Sequence, residues 1–121
     1  MPEYDPDEEA KKLMHFIERY PVVFPIMHST LFIRVLKALR TAKDIVKLRT
    51  IFPYIEEQDI KEMLDVLISA KLAVSFKASN KEFYYISPLG KEFLELYERA
   101  KLALLKGGLE EIRLDKRDEN A

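Results

Sequence analysis

Residues 84–94 read Tyr84-Tyr85-Ile86-Ser87-Pro88-Leu89-Gly90-Lys91-Glu92-Phe93-Leu94, and within them a β-rich run stops and a helix begins. Aromatic and β-branched side chains up to Ile86 favour a strand. Ser87 can cap a helix whose first position is Pro88, where a missing backbone N–H is harmless. Upstream, Leu72, Val74 and Phe76 alternate and are expected to face one way, and Ala78-Ser79-Asn80-Lys81 supplies a turn, so a small hairpin precedes the restarted helix.

Further outward the period changes to that of helices. Ile60, Met63, Leu64, Leu67 and Ile68 define the buried stripe of a helix over about 56–70, with Glu57, Gln58, Lys61, Glu62 and Asp65 outside. A short helix over about 43–51 carries Ile45, Val46, Leu48 and Phe52 and ends before Pro53. Before it, Ser29 or Thr30 can cap a helix with Leu31, Phe32, Val35, Leu36 and Leu39 inward and Arg34, Lys37 and Arg40 outward. Pro21 to His28 is apolar and bracketed by Pro21 and Pro25, which predicts an extended connector. Asp5-Pro6-Asp7-Glu8-Glu9 starts a first helix to about residue 19, with Leu13, Phe16, Ile17 and Tyr20 as its apolar stripe. The division expected is therefore an N-terminal helix and connector over 1–28, a helix-turn-helix and hairpin core over 29–87, a C-terminal helix over 88–107 and a charged tail over 108–121.

With 121 residues the chain is one ordinary domain, mainly α with a small β-hairpin. It has no cysteine, only His15 and His28 as histidines, and only Gly90, Gly107 and Gly108 as glycines. Disulfides, thiolate chemistry and cysteine-ligated zinc are excluded, and no phosphate-cradling glycine loop can be written, so an enzyme, a metal site and a cofactor are not expected. The longest apolar run, Tyr20 to Met27, contains two prolines and is far short of a membrane span. The first ten residues hold five acids and no base, the reverse of an export signal, so a cytoplasmic home is the simplest reading.

The order helix, helix, helix, hairpin, helix is that of a winged helix-turn-helix domain. The stretch Ile60-Lys61-Glu62-Met63-Leu64-Asp65-Val66-Leu67-Ile68-Ser69-Ala70-Lys71-Leu72-Ala73-Val74, followed by residues 84–94, resembles archaeal winged-helix transcription regulators and is similar to the broad MarR-like and PadR-like groups. The resemblance covers about residues 30–106, and the restart Tyr-x-Ile-Ser-x-x-Gly-x-x-Phe-Leu carries most of it. It implies a homodimer that places two recognition helices in successive major grooves of double-stranded DNA, with the wing beside the backbone. Winged helices also serve as protein-docking modules, so a protein partner is the alternative.

Net charge is −1, but the signs are banded. Residues 33–50 carry Arg34, Lys37, Arg40, Lys43, Lys47 and Arg49 against Asp44 alone, whereas residues 51–70 carry Glu56, Glu57, Asp59, Glu62 and Asp65 against Lys61. The basic band, with Lys77 and Lys81 of the wing and Ser79 and Asn80 at its turn, is expected to grip phosphates, and Gln58 and Lys61 complete the set on the recognition helix. The acids of that helix repel a duplex that carries a charge every ~1.7 Å of axis. They fit a basic protein surface instead, if the helix docks on a protein. Tyr84 and Tyr85 beside Lys81 read as core and wing packing rather than as a stacking platform for single-stranded bases. Leu13, Phe16 and Ile17 of the first helix and Leu89, Phe93, Leu96, Tyr97, Ala100 and Leu104 of the last are expected to form the dimer seam.

Overall fold

A computed structural model describes residues 6–102 of the chain. Its elements are α1 (Pro6–Arg19), α2 (Val23–Met27), α3 (Thr30–Ala38), α4 (Ile45–Ile51), α5 (Glu57–Ser69), β1 (Ala73–Ala78), β2 (Lys81–Ile86) and a final helix, α6, over residues 88–102. The expectations for the charged tail, for the helix beyond residue 102 and for Leu104 lie outside the described residues.

Local chemistry sets most boundaries. Ser29 Oγ accepts from the Phe32 N–H at 3.2 Å and starts α3. Asp44 accepts from the Lys47 N–H at 2.8 Å, so α4 starts at Ile45 and not at residue 43. The α5 helix ends where Lys71 takes a left-handed φ of 64° and the Leu72 N–H returns to the Leu67 carbonyl at 2.9 Å. Ser79 and Asn80 both have positive φ, 51° and 64°, the backbone that closes a two-residue hairpin with the twist of its strands.

The expected extended connector is instead the short helix α2, with Val23 and Ile26 buried. Pro25 lies within its first turn, where the backbone N–H has no partner inside the helix, so proline does not break it. A second departure concerns the hairpin. Leu72 and Ala73 are buried, but Val74 and Phe76 are 44% and 45% exposed, because only the hairpin root, where Ala73 pairs with Ile86, lies over the core.

One hydrophobic cluster runs from Leu13 to Ala100 and joins the terminal helices to α3, α4 and α5. Phe16 of α1 stacks on Phe93 of α6 with ring centres 5.9 Å apart, and Leu13, Leu94 and Ala100 are buried beside them. The stripe assigned to a partner is thus spent largely within the chain: of the expected seam, Leu13, Phe16, Phe93 and Ala100 are buried, and Ile17, Leu89, Leu96 and Tyr97 are half-buried. Helices α3, α4 and α5 with the antiparallel β1–β2 hairpin form a winged helix-turn-helix.

The start of α6 fastens this unit. Ser87 Oγ donates to the Lys71 carbonyl at 2.7 Å and accepts from the Gly90 N–H at 2.9 Å, while the Ser87 N–H donates to the Leu72 carbonyl at 2.9 Å. A Cβ at Gly90 would stand 2.1 Å from the Leu72 carbonyl oxygen and 2.7 Å from Ile86 Cγ1. Backbone cannot yield as a side chain can. Gly90→Ala is expected to cost about 3 kcal/mol or more through overlap, and Ser87→Ala about 1–3 kcal/mol through the lost cap and the unpaired carbonyl. Urea unfolding midpoints measure both, and a Gly90→Ala midpoint equal to the parent's would contradict the close approach.

Candidate nucleic-acid interface

The wing is tied to the helices at the α3–α4 turn. Lys43 and Tyr84 exchange two backbone hydrogen bonds, at 3.0 and 2.8 Å, which add a third partner to the edge of β2. Asp44 follows, with one oxygen capping α4 and the other 3.9 Å from Lys81 Nζ of the wing. Three open depressions surround this joint. One of about 550 Å³ is lined by Thr41, Lys43, Lys47, Thr50 and Phe83 among others, and a second of about 330 Å³ by Asp44, Lys61, Lys81, Glu82 and Tyr84 among others. The third, also about 330 Å³, is bounded by Arg49, Thr50 and Pro53. Val46 lines all three and is 67% exposed, so they form one continuous surface around it.

Acids are interleaved with these cations. Glu57 of α5 lies between Arg49 at 3.5 Å and Lys61 at 3.2 Å. Gln58 donates to Glu62 at 3.3 Å, and Asp59, Glu62 and Asp65 stay exposed along the outer face of α5. Tyr84 donates its hydroxyl to Glu82 at 3.0 Å. Its phenol is pushed up to about 12 by burial first, then by that hydrogen bond and by the charges of Glu82 and Asp65.

Among the residues expected to meet DNA, Lys43, Lys47, Arg49, Lys61 and Lys81 are brought together around Val46. The Lys43 ammonium turns back, however, onto the carbonyls of Ala38 at 3.1 Å and Thr41 at 3.2 Å and onto the Thr41 hydroxyl, where it closes the end of α3. Arg40 points elsewhere, with its guanidinium 2.6 Å from Glu98 of α6. Arg34 and Lys37 lie on α3 and line none of the three depressions. Lys77 sits opposite Glu82 across the hairpin, and Ser79 and Asn80 form its exposed tip. His15 and His28 are both exposed, His28 edge-on to Phe24 at 4.6 Å. Sequence reasoning missed Val46, Thr41 and Thr50. The signal for Val46 was present, since Ile45, Leu48 and Phe52 keep helical spacing and leave Val46 off their stripe.

No protein-family model matches the chain, and no curated protein matches it. Solved structures do. The transcriptional regulator BldR from Sulfolobus Solfataricus superposes with a TM-score of 0.60 at 18% identity, covering 93% of this chain and 86% of that one. A mutant MarR from E. coli gives 0.57 at 15% identity over 84% of this chain and 94% of its own. An ArsR-like transcriptional regulator from Rhodococcus sp. RHA1 gives 0.53 at 23% identity over 84% and 92%. At these identities the likeness is one of fold.

The raised Tyr84 value sets a pH dependence with a definite sign. The folded chain holds the phenol proton to higher pH than the unfolded chain, so this contribution to stability is complete below about pH 10 and is lost as pH rises from about 10 to about 12. Stability of the parent is expected to fall across that window more steeply than that of Tyr84→Phe. Parallel slopes in urea titrations would contradict it.

Proposed function

We propose that the chain is a DNA-binding transcription regulator of winged-helix type that grips the duplex by phosphate contacts. The observation that carries this reading is the gathering of Lys47, Arg49, Lys61 and Lys81 around one surface at the joint of α4, α5 and the wing. Phosphates can replace the part-buried carboxylates of Asp44 and Glu57 that now face some of these cations, because the lysine and arginine side of each pair is exposed and such pairs at the surface are worth only about 0–1 kcal/mol each. The outer face of α5 carries too many acids to make the main contact, which assigns register to the wing and α4 and leaves α5 a lesser share. The transcriptional regulators among the structural neighbours support the same use of the fold, and the restart motif supports a MarR-like or PadR-like, archaeal origin. The reading includes a cytoplasmic protein without catalytic activity; among the described residues no helix is long and apolar enough to cross a membrane.

We further propose a homodimer, which would present two such surfaces to successive grooves. Its seam is moved outward from the buried stripe to the apolar groups left uncovered on or beside α1, α2 and α6: Met14, Val22, Phe24 and Leu102 are exposed, and Ile17, Leu96 and Tyr97 are half-buried. Val66, 41% exposed beside Glu62 and Asp65 on α5, supports the alternative in which that helix docks on a basic protein surface.

Anisotropy of a labelled duplex across a salt series tests the regulator reading. Affinity should fall steeply with salt, and Lys47→Ala and Lys81→Ala should weaken binding on every sequence and each flatten the log–log slope by about 1. Glu62→Gln and Asp65→Asn should strengthen binding by removing repulsion. No binding at low salt would end the reading. Light scattering tests the dimer: Leu96→Glu should halve the mass, whereas Phe93→Glu should unfold the chain by burying a carboxylate in its own core, at a cost of several kcal/mol. A mass of one chain for the parent at every concentration would contradict the dimer.

A further inference from the structure

The hairpin face that carries Val74 and Phe76 combines exposed apolar side chains with lysines, and two of its members, Phe83 and Lys81, also line the depressions beside α4. The register pairs Val74 with Tyr85 and Phe76 with Phe83, so strand alternation places these four on one face of the hairpin together with Lys81. Ser75, Lys77, Glu82 and Tyr84 take the other face. Val74 and Phe76 are nearly half exposed, and the rings of Phe76 and Phe83 lie almost parallel, 18° apart with centres at 5.7 Å. Cations stand at both ends. Lys81 is at the turn, and Lys91 of α6 reaches over Tyr85 with its Nζ 5.1 Å from the ring centre and 3.1 Å from the hydroxyl. The register positions of this face contain no acid, in contrast with Glu82 on the other face and with the acid-lined α5.

We propose that this hairpin face is a platform for single-stranded nucleic acid, on which unpaired bases stack against the exposed Phe76 and its neighbours while Lys81 and Lys91 hold the phosphates. Flat apolar groups joined by anionic linkers match flat exposed rings with lysines at both ends. A duplex hides its base faces and offers backbone and groove edges, which leaves the ring faces without a stacking partner. A protein partner fits less well, since lysine is depleted from the cores of protein interfaces. The site shares Lys81 with the proposed duplex surface, whereas Phe76 and Lys91 belong to it alone.

Anisotropy with a fluorescein-labelled oligothymidine, the same strand made abasic, and a duplex of equal length separates bases from phosphates. The intact strand should bind more tightly than the abasic strand. Phe76→Ala should lower affinity for the intact strand about 5- to 150-fold, the range measured for losing one stacked base, and should leave the abasic strand and the duplex unchanged. Phe76→Tyr should retain binding, whereas Phe76→Leu, which keeps apolar bulk without a ring face, should not. Equal affinity for intact and abasic strands, an unaltered Phe76→Ala, or no single-strand binding would overturn the platform. So would a Phe76→Ala chain whose only change is weaker self-association, which would assign the face to a second copy.

Discussion

The start of α6 is pressed against the end of α5, backbone to backbone, and the rest of the domain is arranged around that contact. Gly90 admits the Leu72 carbonyl to a distance at which no side chain fits, and Ser87 closes the gap by serving the Lys71 carbonyl and the Gly90 N–H at once. Because Lys71 and Leu72 lie between α5 and β1, while Ile86 ends β2 and Ser87 links it to α6, this one junction fixes how the helix enters the wing and how the wing leaves it. The Lys43–Tyr84 bridge then sets the other side of the hairpin against α4. Two short backbone seams thus determine where Lys47, Lys61 and Lys81 stand relative to one another.

Charge follows from that placement. The chain is nearly neutral, and its cations near the wing are matched by Asp44 and Glu57, which also have structural duties as a cap and as a first-turn acid. Pairs of this kind, with the cation in solvent, add little to stability. In the proposed function their effect is on recognition, since they lower the potential that a duplex would meet and would make binding depend on exchanging carboxylates for phosphates. The hairpin face of Val74 and Phe76 has no acid at its own register positions, and its Lys81 is met only from α4's cap, by Asp44 at 3.9 Å.

Much of the fold was legible because it is written in local chemistry. The Ser87-Pro88 restart, the stripe of α5 and the Ser79-Asn80 turn follow from capping, period and backbone preference, each decided by a few neighbouring residues. Long-range facts were not legible in the same way. Two prolines made residues 21–28 look extended, yet the position of Pro25 within a first turn allows a helix. Alternation put Val74 and Phe76 on one face, but a strand's period cannot say which face the core covers. The apolar row of α6 was legible as a stripe, but its spacing could not say that Phe93 stacks on Phe16 of the same chain. At the candidate interface, composition located the basic band, while the diversion of Arg40 to Glu98 and of Lys43 to the end of α3 depends on contacts that no spacing encodes.

The central claim is that the joint of α4 and the wing, more than the acidic outer face of α5, meets the duplex. Backbone amide shifts of isotope-labelled protein, followed by nuclear magnetic resonance as duplex DNA is added, test it most directly. The account predicts that the largest shifts fall on residues 41–50 and 77–84, with smaller ones at Gln58, Glu62 and Asp65. Shifts concentrated on α5, or on α1 and α6 with the wing unchanged, would contradict it.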